Sequence, residues 1–274
     1  MSNIAPMPEP RVLLDVDGPV ASVSLNRPAK LNGVDIAMLR ELVTTARRVR
    51  EDRSIRAVVL RGEGDAFCAG LDFASVVSSP STIVRSFVPN PLRGQNLFQH
   101  AVWVWRELPV PVVAVVHGHC YGAGLQLATA ADFRFTTPDA RWSVLEAKWG
   151  LVPDMSGTAS LRELVGGDVA RRLTMTGEVV DGTTAHTLGL VSGVAGDPDV
   201  PARELVEAII ARSPDSVAAS KALLNRTRHA SPRRAFAVER RLQLAMLLAK
   251  NTAVARAANV RKEKPAFGER RFGR

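Results

Sequence analysis

A chain of 274 residues with 46% hydrophobic and 23% charged residues can bury a sizeable core, as one large domain or a domain with an appendage, which excludes wholesale disorder. The opening "MSNIAPMPEPRV" has no charged-then-apolar signal pattern, and apolar runs such as "VPVVAVV" are too short to cross a bilayer. A soluble cytoplasmic protein without a membrane partner is therefore expected. The net charge of +9 is uneven: Lys221 to Arg274 holds 15 Lys and Arg against Glu239, Glu263 and Glu269, so this tail carries +12 and the rest −3. Such a tail suits nucleic acid, a small molecule bearing several phosphates, or a solvated helix face. With no aromatic interleaving and no nucleic-acid motif, nucleic acid ranks last and is not expected as a partner.

In chain order, "RVLLDVDGPVASVSLNR" reads as two alternating strands joined through Asp17 and Gly18. "VDIAMLRELVTTARRVREDRSIR" has helical spacing, and "AVVLRG" is a short buried strand closed by Gly62. The polar, Pro-rich stretch from Ser78 to Gln95 reads as a loop; "QNLFQHAVWVWREL" follows as helix and "VPVVAVVHG" as strand. Next come an apolar helix opening at Gly122, Ala123 and Gly124, the strand "DFRFTT", a second Gly/Pro-rich loop, the helix "SGTASLRELVG" and the strand "LGLVSGVAG". Alternating strands and helices predict an α/β fold with parallel pairing, over residues 1–200. Past Pro201 only helical signals remain, so residues 201–274 are expected to form a helical region.

Three loops that follow strands carry residues able to do chemistry. In "GEGDAFCAGLDF", Ala69 and Gly70 leave the N–H of Leu71 open to an approaching ligand atom. The near-naked first turn at Gly122, Ala123 and Gly124 presents free N–H groups and the positive end of a helix dipole. Two such donors converging would bind an oxyanion, though each glycine could instead serve a turn or close helix packing. In "RWSVLEAKWGLVPDMSGTASL", Glu146 stands among apolar residues that would raise its pKa toward a general acid/base value, and Asp154 follows it in the same loop. Spacing alone equally allows Glu146 to pair with Lys148 or an Arg, and favours Asp154 as the cap of the next helix. Cys68 and Cys120 show no CxxC and are read as buried small side chains; His117 and His119 have no further ligand at metal spacing, so no metal is expected.

"AFCAGLD", "VVAVVHGHCYGAGLQLATAADFRF", "LEAKWGLVPDMSGT", "TGEVVDGTTAHTLGLV", "KEKPAFGER" and "LNRPAKLNGVD" together resemble successive segments of the crotonase, or enoyl-CoA hydratase/isomerase, family. The resemblance covers nearly the whole chain. It implies repeated ββα units wound into a spiral, with C-terminal helices supporting a homotrimer or a dimer of trimers. It also implies a coenzyme A thioester as substrate, with no separate cofactor. By position, the N–H groups of Leu71 and Ala123 would form the oxyanion hole for an enolate. Ala69, Gly70, Gly122 and Trp149 would line the substrate, and basic residues near Arg27 and Lys30, and in the tail, would face the adenosine phosphates.

The family's hydratases have a glutamate where Gln126 stands, and an amide cannot exchange a proton at neutral pH. Glu146 followed by Asp154 resembles the dienoyl-CoA isomerases, where a Glu and an Asp move a proton between distant carbons; that subgroup usually has an Asp at the position of Gln126. The resemblance thus implies a catalytic set of Glu146, Asp154 and Gln126 and favours a double-bond isomerase. A hydratase using Glu146 and a Gln126-oriented water, and a non-catalytic acyl-CoA binder, are the alternatives. Asp72 is read as structural. Trp103, Trp105 and Trp142 are read as packing, and the stretch from Ser75 to Gln95 as shaping acyl-chain entry.

Overall fold

The computed structural model describes residues 9–77 and 80–273. The signal-pattern reading of residues 1–8 and the loop reading of Ser78 and Ser79 lie outside them. Strands β1 (Val12–Asp17) and β2 (Val20–Leu25) pair antiparallel, with Asp17 opposite Val20 across the turn at Gly18, whose φ is +52°. Helix α1 (Ile36–Glu51) begins where the Asp35 side chain accepts the Met38 N–H at 2.8 Å. It buries Met38, Leu39, Leu42, Ala46 and Val49, the helical spacing seen in the sequence.

Strand β3 (Ala57–Gly62) then leads through the short helices α2 (Phe73–Val77) and α3 (Pro80–Phe87) to α4 (Leu97–Arg106). The α3 helix corrects the loop expected from Ser78 to Gln95: Pro80 suits a first helical turn, and Phe87 packs on Phe98 with ring centroids 4.8 Å apart. Strands β4 (Val112–Val116) and β5 (His119–Tyr121) precede α5 (Ala123–Ala130), and β6 (Phe133–Thr136) and β7 (Arg141–Ser143) follow it. A 3-10 turn, Leu145–Trp149, leads to α6 (Gly157–Leu164) and α7 (Gly167–Thr176). Strand β8 (Val180–Asp181), α8 (Gly182–Thr187) and the two-residue β9 (Gly193–Val194) complete the mixed part. Helices α9 (Asp199–Ile210), α10 (Pro214–Thr227), α11 (Pro232–Leu247) and α12 (Lys250–Arg261) follow, so the helical region begins at Asp199.

The larger sheet runs β1-β2-β3-β4-β6-β9, parallel from β2 onward, and the smaller one β5-β7-β8. The pairs β4/β5 and β6/β7 each send one strand into each sheet. Alternation sorts the side chains of the larger sheet: Val58, Leu60, Val112, Ala114 and Val116 join the main core with Phe67, Trp105 and Trp142. Ala57, Val59, Val113 and Val115 face the other way, against Ala202 and Val206 of α9. Both faces are thus covered, which explains the unbroken apolar runs of β3 and β4. Helix α10 is pinned by the buried Lys221, whose Nζ meets Asp132 Oδ2 at 2.6 Å and donates to the Val110 carbonyl at 2.9 Å. Removing one partner of such a pair costs about 3–5 kcal/mol.

Candidate active site

The site assembles beyond the carboxyl ends of β3 and β4, where parallel sheets usually take ligands. There the two departing loops are zipped together. Cys68 N–H donates to the His119 carbonyl at 2.8 Å and Tyr121 N–H to the Cys68 carbonyl at 2.9 Å. Both cysteines are free and fully buried, and burial pushes the Cys68 thiol up to about 12, so they pack rather than react.

Just past this zipper, Gly70 adopts φ +104°, and a Cβ there would lie 3.3 Å from the Tyr121 carbonyl. Backbone bonds to Val34 use the Gly70 carbonyl and the Asp72 N–H, at 2.8 and 2.9 Å. The Leu71 N–H between them has no acceptor among the described residues. The Ala69 N–H is spent on the Leu31 carbonyl at 2.9 Å. On the other loop, Gly122 caps α5 with φ +48° and its N–H donates to the Ser143 carbonyl at 3.0 Å. Ala123, first in the helix, has no intrahelical acceptor for its N–H. Gly124 is small for a packing reason: a Cβ would sit 2.6 Å from the Cys68 carbonyl oxygen. The near-naked turn thus serves close packing and donor exposure together.

Glu146 lies in the 3-10 turn after β7, with Oε1 only 3.3 Å from where a Gly122 Cβ would be. Gln126, 1% exposed on α5, donates from Nε2 to that Oε1 at 2.6 Å. Its own Oε1 accepts the N–H groups of Met155 at 2.8 Å and Gly157 at 3.0 Å, which fixes the amide orientation. Glu146 Oε2 is buried and has no hydrogen-bond partner among the described residues. Burial raises the Glu146 pKa and the nearby Asp154 charge raises it further, while a backbone hydrogen bond and the Gln126 bond oppose both. Burial also raises Asp154. The sequence alternatives for these acids are absent among the described residues: Glu146 forms no ion pair, and the residue before α6 is Ser156, held at φ +68°, rather than Asp154.

Leu71, Ala123, Gly122, Gln126, Glu146 and Asp154 are therefore brought into one neighbourhood. Trp149 is 60% exposed at its rim and stacks on Phe73, ring centroids 5.3 Å apart. Phe73 and Gly157, whose Cβ would fall on the Gln126 side chain, are site neighbours that sequence reading missed. An aromatic directly after "GLD" was the available sign for Phe73; Gly157 gave none. Near these loops, Arg27 is engaged internally. It is an internal strut, bonded to Asp72 Oδ2 at 2.7 Å and the Gly33 carbonyl at 2.9 Å. Asp72 also accepts from Ser75 Oγ at 2.6 Å; this bond, with Arg27, holds its pKa down at about 2. Lys30 is exposed and pairs with no carboxylate among the described residues. No group of three or more His, Cys, Asp and Glu among the described residues could hold a metal; His117 Nε2 donates to the Gly64 carbonyl at 2.7 Å. No helix among the described residues is long and apolar enough to cross a membrane.

Residues 15–270 match the family described as Enoyl-CoA hydratase/isomerase. The chain is 30% identical over 263 residues to the peroxisomal Delta(3,5)-Delta(2,4)-dienoyl-CoA isomerase of Arabidopsis thaliana, covering 93% of this chain and 95% of that protein. It is also 30% identical over 218 residues to the Short-chain-enoyl-CoA hydratase of Clostridium acetobutylicum, covering 78% and 81%. The crystal structure of an enoyl-CoA hydratase from Bacillus anthracis superposes with a TM-score of 0.86 at 26% identity, over 94% of this chain and 98% of that one. That likeness matches the α/β crotonase fold and its helical C-terminal region. With its two zipped loops, its half-buried glutamate and a match spanning most of its length, the chain belongs to the enoyl-CoA hydratase/isomerase family and is an acyl-CoA enzyme.

Proposed function

We propose that the protein moves a double bond in an enoyl- or dienoyl-CoA thioester through an enolate held by the N–H groups of Leu71 and Ala123. The observation that carries this reading is the contrast between Glu146 and Gln126. Glu146 Oε2 is buried without a partner beside a second raised acid, whereas the Gln126 amide is committed to Glu146, Met155 and Gly157. A side chain so held serves as a positioning residue for Glu146 and is poorly suited to activating water.

In the proposed reaction the thioester oxygen accepts from Leu71 and Ala123 at the N-terminus of α5. Glu146 Oε2 takes the α proton; the C–H electron pair moves through the conjugated system onto the thioester oxygen, where the donors stabilise the charge. The pair then returns along the chain as a proton is delivered to a more distant carbon, by Asp154 or, over a short reach, by Glu146. No atom is gained or lost, so coenzyme A enters only as part of the substrate. Trp149 and Phe73 would border the acyl chain, and Lys30 would meet the nucleotide end. Exposed Phe236, Leu244 and Leu247 along α11 support assembly of copies into a trimer or a dimer of trimers.

Mass analysis of the product separates the readings. An isomerase returns a product of unchanged mass that carries deuterium when the reaction runs in deuterated water. A product heavier by one water would replace this reading with hydration, and a bound thioester that neither reacts nor exchanges would leave a binder.

A further inference from the structure

At the opposite end of β4 from the site, a cavity of about 380 Å³ is lined by Arg50, Trp103, Arg106, Lys221, Arg226 and Arg228. A five-residue strand spans roughly 16 Å, so this cavity is a separate place on the molecule. Its charge is poorly balanced. Lys221 is neutralised by Asp132. Arg106 and Arg228 share the single carboxylate of Glu163. Arg50 reaches only a carbonyl, that of Glu107, at 3.0 Å. Arg226 is exposed and forms no ion pair among the described residues. Four arginines thus line the cavity with one carboxylate, Glu107, while Glu163, outside the lining, pairs with two of them.

The cluster also carries signs of an unmet ligand. Arg228 Nε is buried with no hydrogen-bond partner among the described residues. The guanidinium groups of Arg106 and Arg228 both lie over the Trp103 ring, 5.5 and 5.9 Å from its centroid, which holds two like charges together on one surface. Burial, with Arg106 and Arg162 nearby, pushes Arg228 down to about 10, and the same surroundings lower the pKa of His229. Grouped arginine forks match phosphate oxygens in pairs, and small-molecule cavities typically measure about 300–1,000 Å³. We propose that this cavity is a second ligand site, which binds a di- or polyphosphate anion independently of the thioester.

The probe is inorganic pyrophosphate, titrated calorimetrically into the full chain at fixed ionic strength. Saturable binding is expected, weakened at least about tenfold in Arg226→Gln by loss of one charge-assisted contact. It should be unchanged in Arg233→Gln, which removes an exposed charge from α11. Because Arg226 is unpaired, its replacement leaves the fold intact. A second readout needs no variant: pyrophosphate should protect Arg226 and Arg228 from an arginine-selective dicarbonyl reagent. The same chemistry could come from the phosphates of coenzyme A, so KM for an acyl-CoA is measured in Arg226→Gln and is expected to stay at the wild-type value. Absence of saturable binding, equal weakening by both variants, or a parallel rise in KM would each overturn the proposal, the last by making the cavity part of the substrate site.

Discussion

Gln126 Nε2 donates to Glu146 Oε1 at 2.6 Å, so the one amide on a wholly buried helix holds the half-buried Glu146 carboxylate. The same amide takes the two backbone N–H groups at the entry to α6. Replacing Gln126 by Leu strands all three groups. At about 1–3 kcal/mol for each buried group left unpaired, the variant should lose at least about 3 kcal/mol of stability in a denaturant titration. Gln126→Glu keeps the acceptor but sets a second carboxylate against Glu146. The acidic limb of kcat/KM should then move to higher pH, because like charges raise a carboxyl pKa.

Glu146→Gln removes the proposed base and should lower kcat by about 10²–10⁴-fold, with deuterium wash-in lost alongside it. Stability should move the other way. Since burial raises the Glu146 pKa above 4.5, the folded state binds more protons than the unfolded one. Wild-type stability from this group is therefore fully present below the unfolded value and lost as pH rises through the folded one. The variant should melt higher than wild type at neutral pH, and the difference should shrink toward pH 4.5.

Asp154 contributes to the raised Glu146 pKa by its charge. In Asp154→Asn the acidic limb of kcat/KM for a short 3-enoyl-CoA, a substrate needing only one carboxylate, should shift to lower pH. A limb that stays in place would show that the two carboxyls are uncoupled.

The donor loop is tested at Gly70, whose φ of +104° strains any side chain and whose Cβ would crowd the Tyr121 carbonyl at 3.3 Å. Gly70→Ala should displace the Leu71 N–H and lower kcat by about 10²–10³-fold, the usual effect of losing one oxyanion donor. Gly196→Ala, where a Cβ meets nothing within 4 Å, serves as the neutral control.

Long periodic segments were legible in the sequence. "AVVLRG" is β3, the Asp17 and Gly18 signal is the first hairpin, and the helical spacing after Val34 is α1. The second sheet was not, because β5, β7 and β8 hold three, three and two residues, too few for alternation to register. Only two residues of "LGLVSGVAG" pair as strand, since the rest forms the turn out of α8. At the site, glycine placement pointed to Leu71 and Ala123, and the apolar surroundings of Glu146 pointed to its partial burial. The bonds from Gln126 to Met155 and Gly157 cross 29 and 31 positions, and no local pattern announces a tertiary contact of that kind. The bond of Arg27 to Asp72 was not legible for the same reason, since the two lie 45 positions apart.

The central proposal, in its dienoyl form with a proton carried between distant carbons by Glu146 and Asp154, is tested most directly with a 3,5-dienoyl-CoA, followed spectrophotometrically in wild type and Asp154→Asn. The account predicts conjugated 2,4-dienoyl product from the wild type and its loss in the folded variant. No product from a folded, CoA-binding wild type, or undiminished product from the variant, would contradict it.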